Sequence, residues 1–195
     1  MPKFNGFNRG EIGMPIALLE AMRTRSAETA EIVNTNSTDS QTDLSRAGAV
    51  EICGTLRLLL ADVFVLYVKT KNFHWHMTGS HFRDYHLLLD EHADQIFAMT
   101  DAIAERARKT GGSSLRSISD IARHQRLKDN NDEGVAPKEM LQELRADNVQ
   151  LTRFLRATHE VCDRHDDVAT ASLIEGWIDE TERRTWFLSE IVNGL

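Results

Sequence analysis

Proline is scarce in this sequence: only Pro2, Pro15 and Pro137 occur among 195 residues. Nothing between positions 16 and 136 is forced to break a helical hydrogen-bond ladder, so long helices are permitted. Long apolar runs are also missing. None is long enough to span a bilayer, and the first 60 residues lack the apolar core of a secretory signal. The expectation is a cytoplasmic protein with no membrane partner. Cysteine is limited to Cys53 and Cys162, far apart and each inside an apolar helical pattern. That spacing gives no metal or redox motif and reads as two buried reduced thiols. Basic residues are outnumbered, 23 Lys and Arg against 30 Asp and Glu, for a net charge of −7. Such a balance disfavours nucleic-acid binding through the whole surface, because phosphate neutralisation needs clustered cations.

What is present is helix. Residues 1–43 differ from the rest, rich in Gly, Asn, Ser and Thr, with one helical stretch predicted over 16–33. They read as an N-terminal extension to a domain over 44–195. Up to position 40 the extension holds four basic residues (Lys3, Arg9, Arg23, Arg25) against five acidic (Glu11, Glu20, Glu28, Glu31, Asp39), so it forms no basic arm.

The domain shows four strong helical segments. The first runs from about Ser45 to Met77 and carries two overlapping apolar stripes: Ile52, Leu56, Leu59, Val63, Leu66, and Cys53, Leu60, Phe64, Tyr67. Two stripes predict a helix buried on most of its girth. Gly79 breaks it. The second helix runs from about Ser80 to Thr110, where Gly111-Gly112 supplies a C-cap. A connection of some two dozen residues follows, with a short helix near 117–126 and a polar loop over 128–134. Pro137 suits the first turn of a third helix carrying Leu141, Leu144, Leu151, Leu155 and Cys162. Asp166 or Asp167 caps a fourth, with Ile174, Trp177, Ile178, Trp186 and Ile191 expected on its inner side. No strand pattern competes. Two short connections and one long one predict an all-α bundle of four helices, with an extra short helix in the crossover between helices two and three. That arrangement resembles the ferritin-like bundle.

The chemistry concentrates on helix two. His86 and Asp90 are spaced i, i+4, as are Asp101 and Glu105, so each pair stacks on one helix face. Taken alone, either pair is an ordinary solvated face. At about 100° per residue, however, the four positions share roughly a quarter of the helix surface. His86 and Asp101 still lie about 22 Å apart along the axis, at ~1.5 Å per residue. Metal–ligand bonds are about 2 Å long, so one metal cannot bridge them. They are two half-sites. An antiparallel pair of such helices, centred between Gln95 and Ile96, places position n opposite 191 − n. Asp90 then faces Asp101 of a second copy, and His86 faces Glu105. A two-fold dimer completes two equivalent sites, each with His74, His86 and Asp90 from one chain and Asp101 and Glu105 from the other. Imidazole with carboxylate suits iron(II), zinc or manganese, and spacing leaves that choice open. The chain contains no Glu-x-x-His, the motif that builds a di-iron site inside one bundle, and no His-Glu-x-x-His.

The run Lys71-Asn72-Phe73-His74-Trp75, Gly79, Phe82, His86, Asp90-Glu91, Asp101, Ala104-Glu105-Arg106 and Gly111-Gly112 resembles the Dps family, the DNA-protection-during-starvation miniferritins. Trp186 fits the same pattern. The resemblance covers roughly 45–192 and is most specific between 69 and 112. It implies a shell of twelve bundles that oxidises iron(II) between two-fold-related subunits, typically with hydrogen peroxide, and stores ferric mineral inside. His74, His86 and Asp90 match the ligands of one subunit, and Asp101 and Glu105 those of its neighbour. Zinc would be a substitute for iron there. Trp75 matches a tryptophan beside the iron, where it either intercepts oxidising equivalents or simply packs. Position 76 is His where Asn is common, an extra surface imidazole or a group supporting the ligands; His81 and His92 are weaker candidates for a second iron position. Asp163, Asp166, Asp167 and Glu175 either form an acidic iron funnel or serve as a helix cap and solvated acids. DNA binding is weakly supported, because no Lys- or Arg-rich tail is seen. Two alternatives remain: a DNA-binding nucleoid-protective protein, and a binuclear zinc hydrolase.

Overall fold

The computed structural model describes residues 42–194, and the extension's helical stretch at 16–33 lies outside them. Five helices occur among the described residues: α1 Arg46–His76, α2 Phe82–Lys109, α3 Ile118–His124, α4 Pro137–Arg164 and α5 Val168–Gly194. No strand accompanies them. α1 packs along α2, α4 packs along α5, and α1 lies against α4. This is the expected bundle, with α3 in the crossover.

Each boundary has a local cause. Ser45 caps α1, its hydroxyl accepting the Gly48 N–H at 3.0 Å. Gly79, at φ +96°, turns the chain into α2. α2 ends in a Schellman pattern: Gly111 takes φ +89°, and the Gly112 N–H reaches the Ala107 carbonyl at 3.0 Å. A side chain at Gly112 would run into Cys53, so α1 and α2 approach closely there. Asp167 starts α5, its carboxylate accepting the Thr170 N–H at 3.0 Å.

The core is the apolar stripes facing inward. Leu56, Leu59 and Leu66 of α1, Leu89, Ile96 and Ile103 of α2, Leu141, Leu151 and Leu155 of α4, and Ile174 and Leu188 of α5 are fully buried. Each such side chain contributes about 1.5–3 kcal/mol relative to exposure. Trp186 departs from expectation. It is 60% exposed, and its indole N–H reaches Glu190. Nine residues beyond the buried Trp177, it falls on the opposite side of a helix that turns about 100° per residue. The real inner stripe of α5 is Ile174, Trp177, Thr181, Arg184 and Leu188.

Buried charges pin the long crossover. Asp62 of α1, fully buried, accepts the Arg126 N–H at 2.6 Å, the Leu127 N–H at 3.0 Å and the Arg126 Nε at 2.8 Å. The Arg126 guanidinium then lies 3.7 Å from the centre of the Phe154 ring on α4. Lys69, also buried, joins α1 to Glu143 and Asp147 of α4, each at 2.8 Å.

Candidate metal centre

The Gly79 turn brings the end of α1 against the start of α2, and so brings His74 to His86. Their rings stack with centroids 3.7 Å apart and 17° between planes. His74 Nδ1 lies 2.7 Å from the His86 carbonyl, and His86 Nδ1 lies 2.9 Å from the His74 carbonyl. A carbonyl only accepts, so each Nδ1 carries the proton. In a neutral imidazole that leaves Nε2 with a bare lone pair, the form a metal requires. Phe82 continues the stack, 5.1 Å from the His86 ring.

Asp90 stands one turn beyond His86. Its Oδ1 is 3.8 Å from His74 Nε2 and 2.5 Å from Lys71 Nζ. The Lys71 hydrogen bond holds the Asp90 carboxyl below its usual range, and the same bond raises Lys71. Lys71 is the participant that the sequence reading missed. The signal was its position one turn before His74 on the same helix face.

Asp101 and Glu105 are exposed on the same side of α2. Asp101 borders a cavity of about 470 Å³ lined by Leu60, Phe64, Phe97, Ala104 and Leu115. Glu105 accepts Lys109 Nζ at 2.9 Å. The structure thus brings His74, His86 and Asp90 together and leaves Asp101 and Glu105 three helical turns and more away. Among the described residues, no three His, Cys, Asp or Glu side chains of one chain gather into a metal cage. Trp75, beside His74, is 64% exposed.

The other candidates sort by burial. His76 and His81 are exposed. His92 is 4% exposed and faces inward, where burial first and the Arg184 and Arg183 guanidiniums next push it down to about 4. It therefore stays neutral in the core, out of reach of a surface metal. Of the acidic group, Asp167 is buried against Arg106 and caps α5. Asp163 and Glu175 flank His159, at 3.1 and 3.3 Å.

The bundle interior does not suit a metal. Arg184 is fully buried there, its guanidinium bonded to Asn148 Oδ1 at 3.0 Å and Thr181 Oγ1 at 2.8 Å, both neutral. A buried cation among neutral partners repels a second cation.

A family model for the ferritin-like domain matches residues 54–195. DNA protection during starvation protein 1 of Deinococcus radiodurans is 31% identical over 149 residues, which are 73% of this chain and 69% of that one. The chain belongs to the Dps family. A low temperature-induced protein of Nostoc is 34% identical over 78% of this chain and 84% of its own length. Among solved structures, Dps from Thermosynechococcus elongatus superposes with a TM-score of 0.73 at 26% identity, covering 75% of this chain and 92% of that one. Dps from Bacillus brevis gives 0.73 at 27% identity, covering 76% and 99%. No described helix is long and apolar enough to cross a membrane.

Proposed function

We propose that this Dps-family chain is an iron-storage and detoxification protein. It oxidises iron(II) at sites completed between two-fold-related copies, with hydrogen peroxide as oxidant, and holds the ferric product in a shell of twelve chains. The observation that carries this reading is the His74–His86 pair, whose hydrogen bonds to each other's backbone leave both Nε2 lone pairs free, with His74 Nε2 3.8 Å from Asp90 Oδ1.

Three further features support the shared site. Asp101 and Glu105 lie on the same face of α2, where an antiparallel neighbour delivers them to the histidines as the partner's Asp101 and the partner's Glu105. Large apolar side chains are exposed on and beside that face: Trp75 at 64%, Phe97 at 51%, Leu87 at 49% and Phe82 at 44%. A cluster of that kind favours burial against another copy. The charge of the donor set also fits. Three carboxylates and two imidazoles favour the harder iron(III) product over iron(II), which assists electron loss.

Two iron(II) ions, one hydrogen peroxide and two protons give two iron(III) ions and two waters. Pairing the electrons in this way releases no hydroxyl radical. The protein's part is to hold the two imidazoles and Asp90 in place before iron arrives, so that little reorganisation accompanies binding. Trp75, exposed beside His74, is placed to intercept a stray oxidising equivalent. In a single chain it makes little packing.

Purified protein given iron(II) and peroxide is expected to build the yellow-brown ferric absorbance. A His74→Ala, His86→Ala double variant is expected not to. Equal rates in the two would overturn the site. Sedimentation supplies the second check: twelve chains of 22.1 kDa make a particle of about 265 kDa. A monomer would refute a shared site.

A further inference from the structure

Lys71 has no place in the ligand set, yet it makes the shortest contact in it. Its Nζ lies 2.5 Å from Asp90 Oδ1, while His74 Nε2 waits 3.8 Å from the same oxygen. The lysine side chain is only 18% exposed, against 46% for that of Asp90. Lys71 and His74 thus converge on one oxygen of Asp90.

We propose that Lys71 is the resident counter-ion of the empty half-site: it presets Asp90 beside His74 and is displaced when a divalent cation binds, so it sets the affinity threshold of the site. This rests on Asp90 being a ligand, as proposed above, and adds a residue that no metal touches. The physical reason is charge. An ammonium carries one positive charge, and so do sodium and potassium, so neither gains by replacing a preformed ion pair. A divalent cation doubles the Coulomb attraction to the same carboxylate and adds bonds to two imidazoles. Lys71 thereby filters monovalent ions while keeping the carboxylate ordered. Released from Asp90, its ammonium has a nearby alternative in Asp94, one turn further along α2, whose charge already acts on it. Lys109 on Glu105 is the counterpart on the other half-site, but that pair is more than half exposed on both sides and holds far less tightly.

Lys71 is a positioning residue, so its test reads metal affinity and not oxidation alone. Iron(II) is titrated anaerobically into the full-length assembled protein and into Lys71→Met, Lys138→Met and Asp90→Asn. Lys71→Met is expected to bind iron(II) about fivefold more tightly, the loss of one partly exposed ion pair. Lys138→Met, with the same charge change at the start of α4, is expected to bind as the parent does, and Asp90→Asn weakly. Unchanged or weaker binding by Lys71→Met, with Asp90→Asn impaired, would overturn the counter-ion role and leave the shared site standing. Equal tightening in Lys138→Met would reduce the effect to overall charge and overturn it as well. Parent-like binding by Asp90→Asn would remove the site reading itself, and this proposal with it. Should Lys71→Met not assemble, Lys71→Gln carries the same comparison.

Discussion

His74 and His86 lock each other's tautomer: Nδ1 of each ring donates to the backbone carbonyl of the other, across the Gly79 turn. The His74 carbonyl is one of the last four of α1, which have no partner within the helix. The His86 imidazole therefore completes the end of α1 while the same ring is aimed outward. The structural bond and the proposed metal ligation use different nitrogens of one side chain, and a substitution can separate them.

Asparagine makes that separation. Its amide nitrogen falls near the place of Nδ1 and can donate to the His74 carbonyl, but nothing replaces Nε2. His86→Asn is expected to melt within a few degrees of the parent and to lose at least about tenfold in iron(II) oxidation. His86→Ala should lose both, because the terminal carbonyl is left without its donor. Thermal melting alongside peroxide-driven ferric absorbance checks this. An active His86→Asn would mean that Nε2 binds nothing.

The i, i+4 spacings and the quarter-turn face of α2 were legible in the sequence because helical geometry alone turns position into direction. The absence of Glu-x-x-His argued against a di-iron site inside one bundle, and it gave no hint that the interior holds the buried Arg184 guanidinium. Lys71, the ring stack and the exchanged hydrogen bonds were not legible. They depend on how two helices meet across a turn, and a 3.6-residue period does not encode that distance. Trp186 was misplaced for a related reason: on α5 the inner stripe passes through polar Thr181 and Arg184, so following hydrophobicity led off the true face.

Acid should act on the core through His92. Its proton affinity falls from 6.5 to about 4 on folding. Between those values the unfolded chain binds a proton that the folded chain refuses, so stability is fully present above about pH 6.5 and falls as pH drops towards 4. The loss between about pH 6.5 and pH 5 comes to about 1.5 kcal/mol. His92→Leu is expected to flatten the melting temperature over that interval. His92 lies inward, away from the face that bears the half-sites, so iron oxidation at neutral pH should be retained. Parallel pH profiles for parent and variant would show that the imidazole is charged in the fold.

Arg184 presents the opposite problem, a charge that stays. Its guanidinium is fully buried, burial lowers its proton affinity to about 10, and Nη1 finds no partner. Removing a partner should cost more than removing the arginine. Asn148→Leu deletes the acceptor at 3.0 Å and is expected to destabilise by about 3 kcal/mol, since the cation remains buried with less compensation. Arg184→Met keeps the shape, deletes the charge and should cost distinctly less. Melting temperatures of the two variants and the parent give the order. Greater damage from Arg184→Met would mean that the guanidinium contributes net stability.

Phe97 tests the partnership between chains most sharply, because it is no ligand. Its ring leans on Tyr67 with centroids 4.9 Å apart, yet half of its surface is exposed. In the antiparallel register proposed above it would face the partner's Asp94, and symmetry would repeat the contact. Phe97→Glu places a carboxylate against a carboxylate twice in every dimer, in an interface that otherwise buries a ring. Like charges brought together there cost several kcal/mol. The variant is expected to sediment as smaller species and to oxidise iron(II) slowly, although all five proposed ligands remain. Phe97→Leu, which keeps the apolar surface, should retain both the assembly and the activity. Full activity in a monomeric Phe97→Glu chain would place the whole centre within one subunit, against the 22 Å or so that separates its halves along α2.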